Sequence, residues 1–579
     1  MFENKAKVYP HIATDLQEWA IYQLSEDREN FIPEVIQHTF ERLELEYGNQ
    51  LPELLSKTIY AELQRVKEEP WKVDPPKEKS YWRRQARKLA QRSLDVTEKE
   101  PAEVAAQRLL RKIVNRYAEE IVGTFKIGHY QFARRFLTFF FGRLLNAAVG
   151  RSFRSIFSSK AALTEKLLIK GYVEEVRQLY KKGSVVIVPT HFSNIDSIMI
   201  GYILDIVGGM PAHAYGAGLN LYNTGYTAYF MNRLGAYRVD RRKRNPIYNR
   251  TLKQMAKLSI KRKVPNIFFP GGTRSRSGSL ETKLKLGLLS SAMEAQREFY
   301  QAGKDDKVFI VPLIMSYPFV LEAQFLIEEH LRREGQDRYI KTKDDFHSFR
   351  SILKFAWGVF SKTNRITIAL GKPMDVVGNY VDNEGNSYSN LGNSVNTAEY
   401  FQDSNGQINA DLQRESEYLK MLGERIVERF HADNIVLSSH IVSHAAFSLV
   451  ENANPKLDLY GILRLPPEDF VFDQDALLDV IGQLQSIILA MEAKDQIKIS
   501  DNARKDKTVV LENGIRSMGN YHIRKALKIN KKGNVISESF SLLYFYHNRL
   551  STYGFKEQLT FPATNIIFAA DSELLAPAS

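Results

Sequence analysis

The sequence predicts an α/β fold, with a mixed, largely parallel β-sheet flanked by helices, a helical N-terminal region and a mostly helical C-terminal region. Three observations predict it. Between residues 166 and 377, short β-branched runs alternate with helical segments, which is typical of largely parallel sheets. Before and after that block, apolar residues recur at helical spacing. The chain of 579 residues also exceeds what one core accommodates, so we expect several domains.

Residues 1–165 form the predicted helical N-terminal region. Asp15 is a suitable helix cap, and apolar residues at helical spacing follow it over residues 16–47. Three prolines between residues 68 and 80 break this pattern and predict a loop, after which a helix resumes at Tyr81.

The predicted α/β domain covers residues 166–377. Its predicted strands are residues 185–188, 236–239, 267–269, 308–314 and 366–370. The next segment, residues 378–410, is rich in Asn, Gly and Ser and is predicted to be a linker or loop. The C-terminal region, residues 411–579, is predicted to be mostly helical, with a short strand at 507–512 and a final helix at 536–550.

The chain is basic and contains no cysteine. Lysine and arginine outnumber the acidic residues by 80 to 67, for a net charge of +13. Such an excess indicates an anionic partner, and the charge alone does not choose between a membrane surface, a nucleic acid and a phosphorylated substrate. The absence of cysteine excludes disulfides, thiolate metal sites and a thiol acyl carrier on the chain itself. No stretch reaches the roughly 18 apolar residues that span a bilayer, so any membrane contact is expected to be peripheral.

A histidine and an aspartate lie in the turn after the strand at 185–188. In "HFSNID", Asp196 follows His191 by five residues. Turns at the carboxyl ends of strands are where α/β folds keep their sites. The imidazole can take a proton from a hydroxyl, while a carboxylate holds its other nitrogen protonated and stabilises the imidazolium. In the simpler alternative, Asp196 caps the following helix and His191 is an ordinary loop histidine.

Three further segments follow or form strands of the same block. "FFPGGTRSRSG", residues 268–278, combines glycines with two arginines, which suits a phosphate. "LGAYRVDRRKR", residues 234–244, ends a strand in arginines, and "FIVPLIMSYP", residues 309–318, is an apolar strand that contains a proline. Taken singly, residues 268–278 also fit a solvated basic turn and residues 234–244 a solvated run of charges. Residues 309–318 also fit an ordinary core strand.

Together and in this order, the four segments resemble the four motifs of the glycerolipid acyltransferases, closest to the long bacterial glycerol-3-phosphate acyltransferases. The resemblance implies transfer of a fatty acyl group from acyl-CoA or acyl-carrier protein to glycerol-3-phosphate in phospholipid biosynthesis. It implies His191 as the general base with Asp196 as its partner. The substrate-binding residues that it implies are Arg238, Arg241, Gly272, Thr273, Arg274, Ser275 and Arg276, and it places Pro312 near the acyl pocket. It implies no metal and no cofactor besides the acyl thioester co-substrate.

The third motif departs from the family at one position. Gly271 stands where the family has a glutamate, which is thought to help hold the glycerol-phosphate. The acceptor therefore stays open between glycerol-3-phosphate and lysophosphatidic acid or another lyso-phospholipid, although the chain length and Arg276 favour the former. A non-catalytic, basic, membrane-binding adaptor with the same fold is the alternative from another class.

Residues 130–157 mix aromatic residues with five arginines and no acidic residue. This composition fits an interfacial amphipathic helix pair, and it also fits a helix whose phenylalanines pack on the catalytic domain while its arginines stay in water. We expect an anionic membrane surface as a partner, a peripheral location at the cytoplasmic face of the cell membrane, and no nucleic-acid partner, since no nucleic-acid-binding motif occurs.

Overall fold

The computed structural model describes residues 7–71, 74–94, 102–148, 166–222, 225–318, 320–334, 365–518, 522–562 and 566–568. The N-terminal region is helical there, as predicted. Asp15 caps a 3₁₀ turn at Leu16–Glu18 by accepting from the backbone N–H of Gln17. The helices that follow are α1 (Ala20–Glu26), α2 (Arg28–Tyr47), α3 (Leu51–Glu68), α4 (Glu78–Leu94), α5 (Ala102–Ile121) and α6 (Ile127–Ala148).

A seven-stranded mixed sheet forms the centre of the molecule. Its strands are β1 (Leu167–Gly171), β2 (Gly183–Pro189), β3 (Ala214–Gly218), β4 (Ala236–Val239), β5 (Asn266–Ile267), β6 (Lys307–Ser316) and β7 (Ile366–Leu370), in the spatial order β1-β7-β6-β2-β5-β3-β4. The five strands from β6 to β4 are parallel, whereas β7 runs antiparallel to β6 and parallel to β1. This confirms the predicted mixed, largely parallel sheet.

Both faces of the sheet are covered. The helices inserted between its strands are α7 (Val173–Lys182), α8 (Asp196–Ile206), α9 (Gly225–Met231), α10 (Pro246–Lys261), α11 (Leu289–Gln301) and α12 (Ala323–Glu334). Alternate residues of β2 enter different cores, because side chains alternate along a strand. Val186 and Val188 share a core with N-terminal residues such as Trp82, whereas Val185 and Ile187 share one with C-terminal residues such as Phe545.

The segment 378–410 is more ordered than the predicted linker. It contains the antiparallel strands β8 (Tyr380–Val381), β9 (Ser387–Tyr388) and β10 (Ser394–Val395). The turn before them is fixed by Asp375, whose Oδ1 accepts from the backbone N–H groups of residues 377, 378 and 379. Aspartate side chains that bond nearby backbone in this way stabilise turns that lack regular structure.

The C-terminal region is mostly helical, as predicted. Its helices are α13 (Leu412–Ala432), α14 (Ser438–Ala453), α15 (Leu459–Leu463), α16 (Gln474–Glu492), α17 (Lys507–Ser517) and α18 (Phe540–His547). Its short strands are β11 (Ile435–Val436), β12 (Phe470–Phe472), β13 (Lys498–Ile499), β14 (Lys528–Ile529), β15 (Val535–Ile536) and β16 (Ile566–Phe568). The strand predicted at 507–512 is wrong, since Asp506 caps α17 there by accepting from Thr508 N–H.

Within the described ranges, no helix is both long enough and apolar enough to cross a membrane.

Candidate active site

His191 and Asp196, which the sequence predicts to be a catalytic pair, are in contact in the turn after β2. His191 Nδ1 lies 2.7 Å from Asp196 Oδ2. The same oxygen accepts from the backbone N–H groups of Phe192 (2.7 Å) and Ser193 (2.9 Å), and Oδ1 accepts from the Tyr317 hydroxyl at 2.5 Å. A carboxylate that receives this many donors is an acceptor only, so we assign the proton of the His191–Asp196 bond to Nδ1. This leaves Nε2 as the basic nitrogen of His191.

The capping alternative for Asp196 is wrong. Helix α8 begins at Asp196 with Ile195 in the N-cap position, and no side chain caps it. The Asp196 carboxylate turns back instead and binds the turn that carries His191. Asp196 is fully buried, whereas His191 lines a cavity of about 740 Å³. A buried carboxylate behind a histidine that faces a cavity is the arrangement of a general base.

The glycine- and arginine-rich turn of residues 268–278 lies directly against the histidine. The backbone N–H of Ser275 donates to the carbonyl of His191 at 2.7 Å, and the Ser275 hydroxyl donates to the Ser279 carbonyl. Ser275 therefore joins the two motifs and shapes the turn. The cavity wall beside His191 is formed by Gly272, Thr273, Arg274 and Arg276.

Two arginines of this turn are already ion-paired, one with the residue that precedes helix α12 and one with a residue in it. Arg274 Nη1 lies 3.2 Å from Glu322 Oε1, and Arg276 Nε lies 3.0 Å from Glu329 Oε2. Arg241 follows β4, lines the same cavity and forms no ion pair with any described residue. Burial among the cavity walls and the neighbouring Arg276 and Arg274 lower the pKa of Arg241. An anion that entered the cavity would relieve this repulsion, because it would supply the missing negative charge.

The structure does not bring Arg238 or Pro312 to the cavity. On β4, Tyr237 and Val239 face the cavity, so the intervening Arg238 points to the other face, with its Nε 3.8 Å from Glu120 Oε1. Pro312 is buried in the middle of β6, opposite Val188 of β2, and its carbonyl accepts from Gly371 N–H at 2.8 Å. The implied roles of these two residues are corrected accordingly.

The cavity has an apolar side and a basic side. Its apolar side chains include Leu252, Phe268, Leu288, Leu289, Phe325 and Leu326. Lys253 and Lys285 add to the basic side, and neither forms an ion pair with a described residue. A cavity of this kind fits an amphipathic substrate with an anionic group. Its lysines escaped the sequence analysis because they stand in ordinary basic stretches.

Other residues that sequence reasoning missed are far from His191 in the sequence but contact the turn that carries it. Glu322 accepts from the Asn194 N–H at 2.9 Å and from the Ser193 hydroxyl at 2.8 Å, and burial raises the pKa of Glu322. Arg549, from the C-terminal region, is buried with its guanidinium 4.4 Å from the centre of the Phe192 ring. Burial lowers the pKa of Arg549 to about 10. No spacing in the sequence links these residues to His191.

Comparison with known proteins agrees with this geometry. Residues 171–316 match the family model described as "Acyltransferase". The match covers strands β2 to β6 and therefore includes His191, Asp196, Arg241 and the turn that contains Arg274. This segment is an acyltransferase domain.

Three bacterial relatives are each named "Glycerol-3-phosphate acyltransferase". The protein from Aeromonas hydrophila subsp. hydrophila is 26% identical over 335 residues, which cover 56% of this chain and 38% of the relative. The protein from Shewanella loihica is 25% identical over 261 residues, which cover 45% of this chain and 29% of the relative. The protein from Shewanella woodyi is 27% identical over 232 residues, which cover 40% of this chain and 25% of the relative. The aligned part of the chain thus spans less than two fifths of the length of each of these relatives.

Proposed function

We propose that the protein is an O-acyltransferase that moves a fatty acyl group from an acyl-CoA or acyl-carrier-protein thioester to glycerol-3-phosphate, as a step of phospholipid biosynthesis. The observation that carries this proposal is the 2.7 Å contact of the buried Asp196 with His191 at the edge of a cavity. The same cavity holds Arg241, which has no ion-pair partner among the residues that the structure describes. The names of the three relatives support glycerol-3-phosphate as the acceptor.

The chemistry is a direct transfer with His191 as general base. Nε2 takes the proton of a glycerol hydroxyl, and the oxygen attacks the thioester carbonyl. The ester forms as the carbon–sulfur bond breaks, and the imidazolium returns its proton to the leaving thiolate. Asp196 stabilises the imidazolium between these two steps, since it is a fixed carboxylate in contact with Nδ1.

The basic side of the cavity positions the acceptor. Arg241 and Lys285 carry no carboxylate partner among the described residues, so they are the cations that bind the phosphate first. Arg274 is held by Glu322 and orients the turn beside the phosphate. Binding of the phosphate at this wall brings the hydroxyl beside His191, which converts the reaction into an effectively intramolecular one. The apolar wall takes the beginning of the acyl chain.

The same proposal includes peripheral binding to anionic membrane at the cytoplasmic face. Phe132, Phe136 and Phe139 of helix α6 are 56%, 41% and 59% exposed. Phe132 stacks on Phe136 and on Phe230 from α9, so these rings form one exposed aromatic surface. Arg134 instead lies against the domain, with its Nε 3.2 Å from Asp205 Oδ2. Several aromatic rings that one helix leaves exposed to water support an interfacial helix.

The test is an acyl-transfer assay on the purified protein that crosses acyl-CoA and acyl-carrier protein with glycerol-3-phosphate and lysophosphatidate. We expect transfer to glycerol-3-phosphate and a loss of at least about 100-fold in His191→Ala. The matched control is His38→Ala on helix α2, which we expect to be unaffected. Unchanged turnover in His191→Ala would contradict the mechanism. Transfer to lysophosphatidate alone would reassign the acceptor. Vesicle binding without acyl transfer would favour a non-catalytic membrane-binding adaptor.

A further inference from the structure

Glu281 contacts the catalytic turn, although it belongs to none of the four motifs. Its Oε1 accepts from the backbone N–H of His191 at 2.9 Å. The His191 carbonyl accepts from Ser275 and its ring binds Asp196, so Glu281 completes a set of bonds that fixes every polar group of His191 except Nε2. The backbone N–H and the carbonyl of His191 are therefore both hydrogen-bonded, and this fixes the position of the residue that carries the basic Nε2.

The Glu281 carboxylate lies beside Gly271, where a side chain on residue 271 would stand. A Cβ atom added to Gly271 would come within 3.2 Å of Glu281 Oε1 and 3.3 Å of its Cγ. These separations are tighter than ordinary van der Waals contacts, so a larger residue at 271 and the carboxylate of Glu281 compete for one space.

The placement of this carboxylate is unfavourable for folding, so a role in the site would explain it. Glu281 Oε2 is buried and has no hydrogen-bond partner within the described part of the chain. Burial raises the pKa of Glu281 to about 7, against the opposing effect of the His191 N–H. A buried polar atom without a partner destabilises a fold, and an apolar or small residue would avoid that cost.

We propose that Glu281 is a positioning residue of the acyl-transfer site, which holds the backbone of His191 in place and fills the space that Gly271 leaves open. The proposal rests on the proposed function in so far as His191 is the base. It also accounts for the glycine in the third motif, because the carboxylate near this turn comes from residue 281 instead of residue 271.

The kinetic test compares Glu281→Ala with Glu281→Gln. The alanine variant loses the acceptor for His191 N–H, so we expect kcat to fall about 10- to 100-fold while KM for glycerol-3-phosphate changes by less than about threefold. The glutamine variant keeps an oxygen acceptor of the same size, so we expect it to recover most of kcat. An alanine variant with the kcat of the wild type would overturn the proposal, as would a glutamine variant as impaired as alanine.

A second test does not depend on activity. Gly271→Glu is introduced into the wild type and into Glu281→Ala, and the midpoint of chemical denaturation is measured, with Gly128→Glu on α6 as the control at an exposed, uncrowded glycine. We expect the 271 substitution to shift the midpoint strongly in the wild type and much less once Glu281 is removed, while the control shifts it equally in both. An equal shift at 271 in both backgrounds would overturn the proposal. If the wild type transfers no acyl group, the proposed function fails, and this comparison still decides whether Glu281 occupies the space at Gly271.

Discussion

Replacement of Asp196 by asparagine tests the electrostatic role of the buried carboxylate. The charge centres of the Asp196 carboxylate and the His191 imidazolium are about 4 Å apart, given the 2.7 Å contact of their nearest atoms. At an effective dielectric constant of about 20, this attraction amounts to about 4 kcal/mol. Asparagine removes the charge but keeps an oxygen that can accept from the N–H groups of Phe192 and Ser193. We therefore expect the fold to persist and kcat to fall about 1000-fold.

The assay is steady-state acyl transfer by Asp196→Asn, with the circular dichroism spectrum and melting temperature as the check on folding. Tyr317→Phe is the matched comparison, since it removes one donor to Asp196 Oδ1 and leaves the carboxylate charged. We expect its loss in kcat to be about tenfold, because a single hydrogen bond to a charged group contributes roughly 1.5–3 kcal/mol at most. The reasoning is refuted if Asp196→Asn keeps its kcat within about fivefold while His191→Ala is inactive.

Four further predictions concern pH, the phosphate, the acyl chain and the membrane. The pKa of Glu281 is raised from 4.5 to about 7, so the folded protein keeps a proton that the unfolded chain releases in that window. The contribution of Glu281 to stability therefore falls by about 3 kcal/mol as pH rises from 4.5 to 7. Glu281→Gln is expected to exceed the wild type in denaturation midpoint above pH 7 but not below pH 4.5, and a pH-independent difference would contradict this. Arg241→Ala is expected to raise KM for glycerol-3-phosphate about 10- to 100-fold and to leave KM for the acyl donor unchanged. An unaltered KM for glycerol-3-phosphate would show that Arg241 does not bind the phosphate. Gly218 lines the cavity, and a Cβ atom added there would meet no atom within 4 Å. Gly218→Leu is therefore expected to slow the transfer of long acyl chains more than that of short ones. Equal slowing of both would argue against an acyl chain at β3. The double variant Phe132→Ser, Phe139→Ser is expected to show reduced co-sedimentation with anionic vesicles at low salt. Full binding by this variant would mean that another surface contacts the membrane.

The sequence predicts β2, β6 and β7 from β-branched residues in buried runs, whereas β3 escapes prediction for a physical reason. Ala214–Gly218 reads AYGAG, which has no β-branched residue and two glycines. Its conformation is imposed by parallel pairing with β4 on one side and β5 on the other. Local preference is weak evidence wherever neighbouring strands supply the hydrogen bonds.

The candidate site divides in the same way between local and distant residues. His191 and Asp196 are five residues apart in one turn, so their contact follows from the local sequence. Glu281 and Arg549 reach this turn from far along the chain, and only the folded sheet brings them there. Arg238 is instructive because the alternation of side chains along β4 already separates it from Val239, which faces the cavity.

The contact of the third motif with the C-terminal helix α18 limits how far the chain can be shortened. Asn548 donates to the carbonyl of Ser277, and Gly278 approaches the Phe545 carbonyl so closely that a Cβ would come within 2.1 Å of it. A fragment trimmed to the 171–316 family segment would lose this scaffold and uncover the apolar side of β2 that carries Ile187. The family segment is therefore a part of a larger folding unit that includes α18.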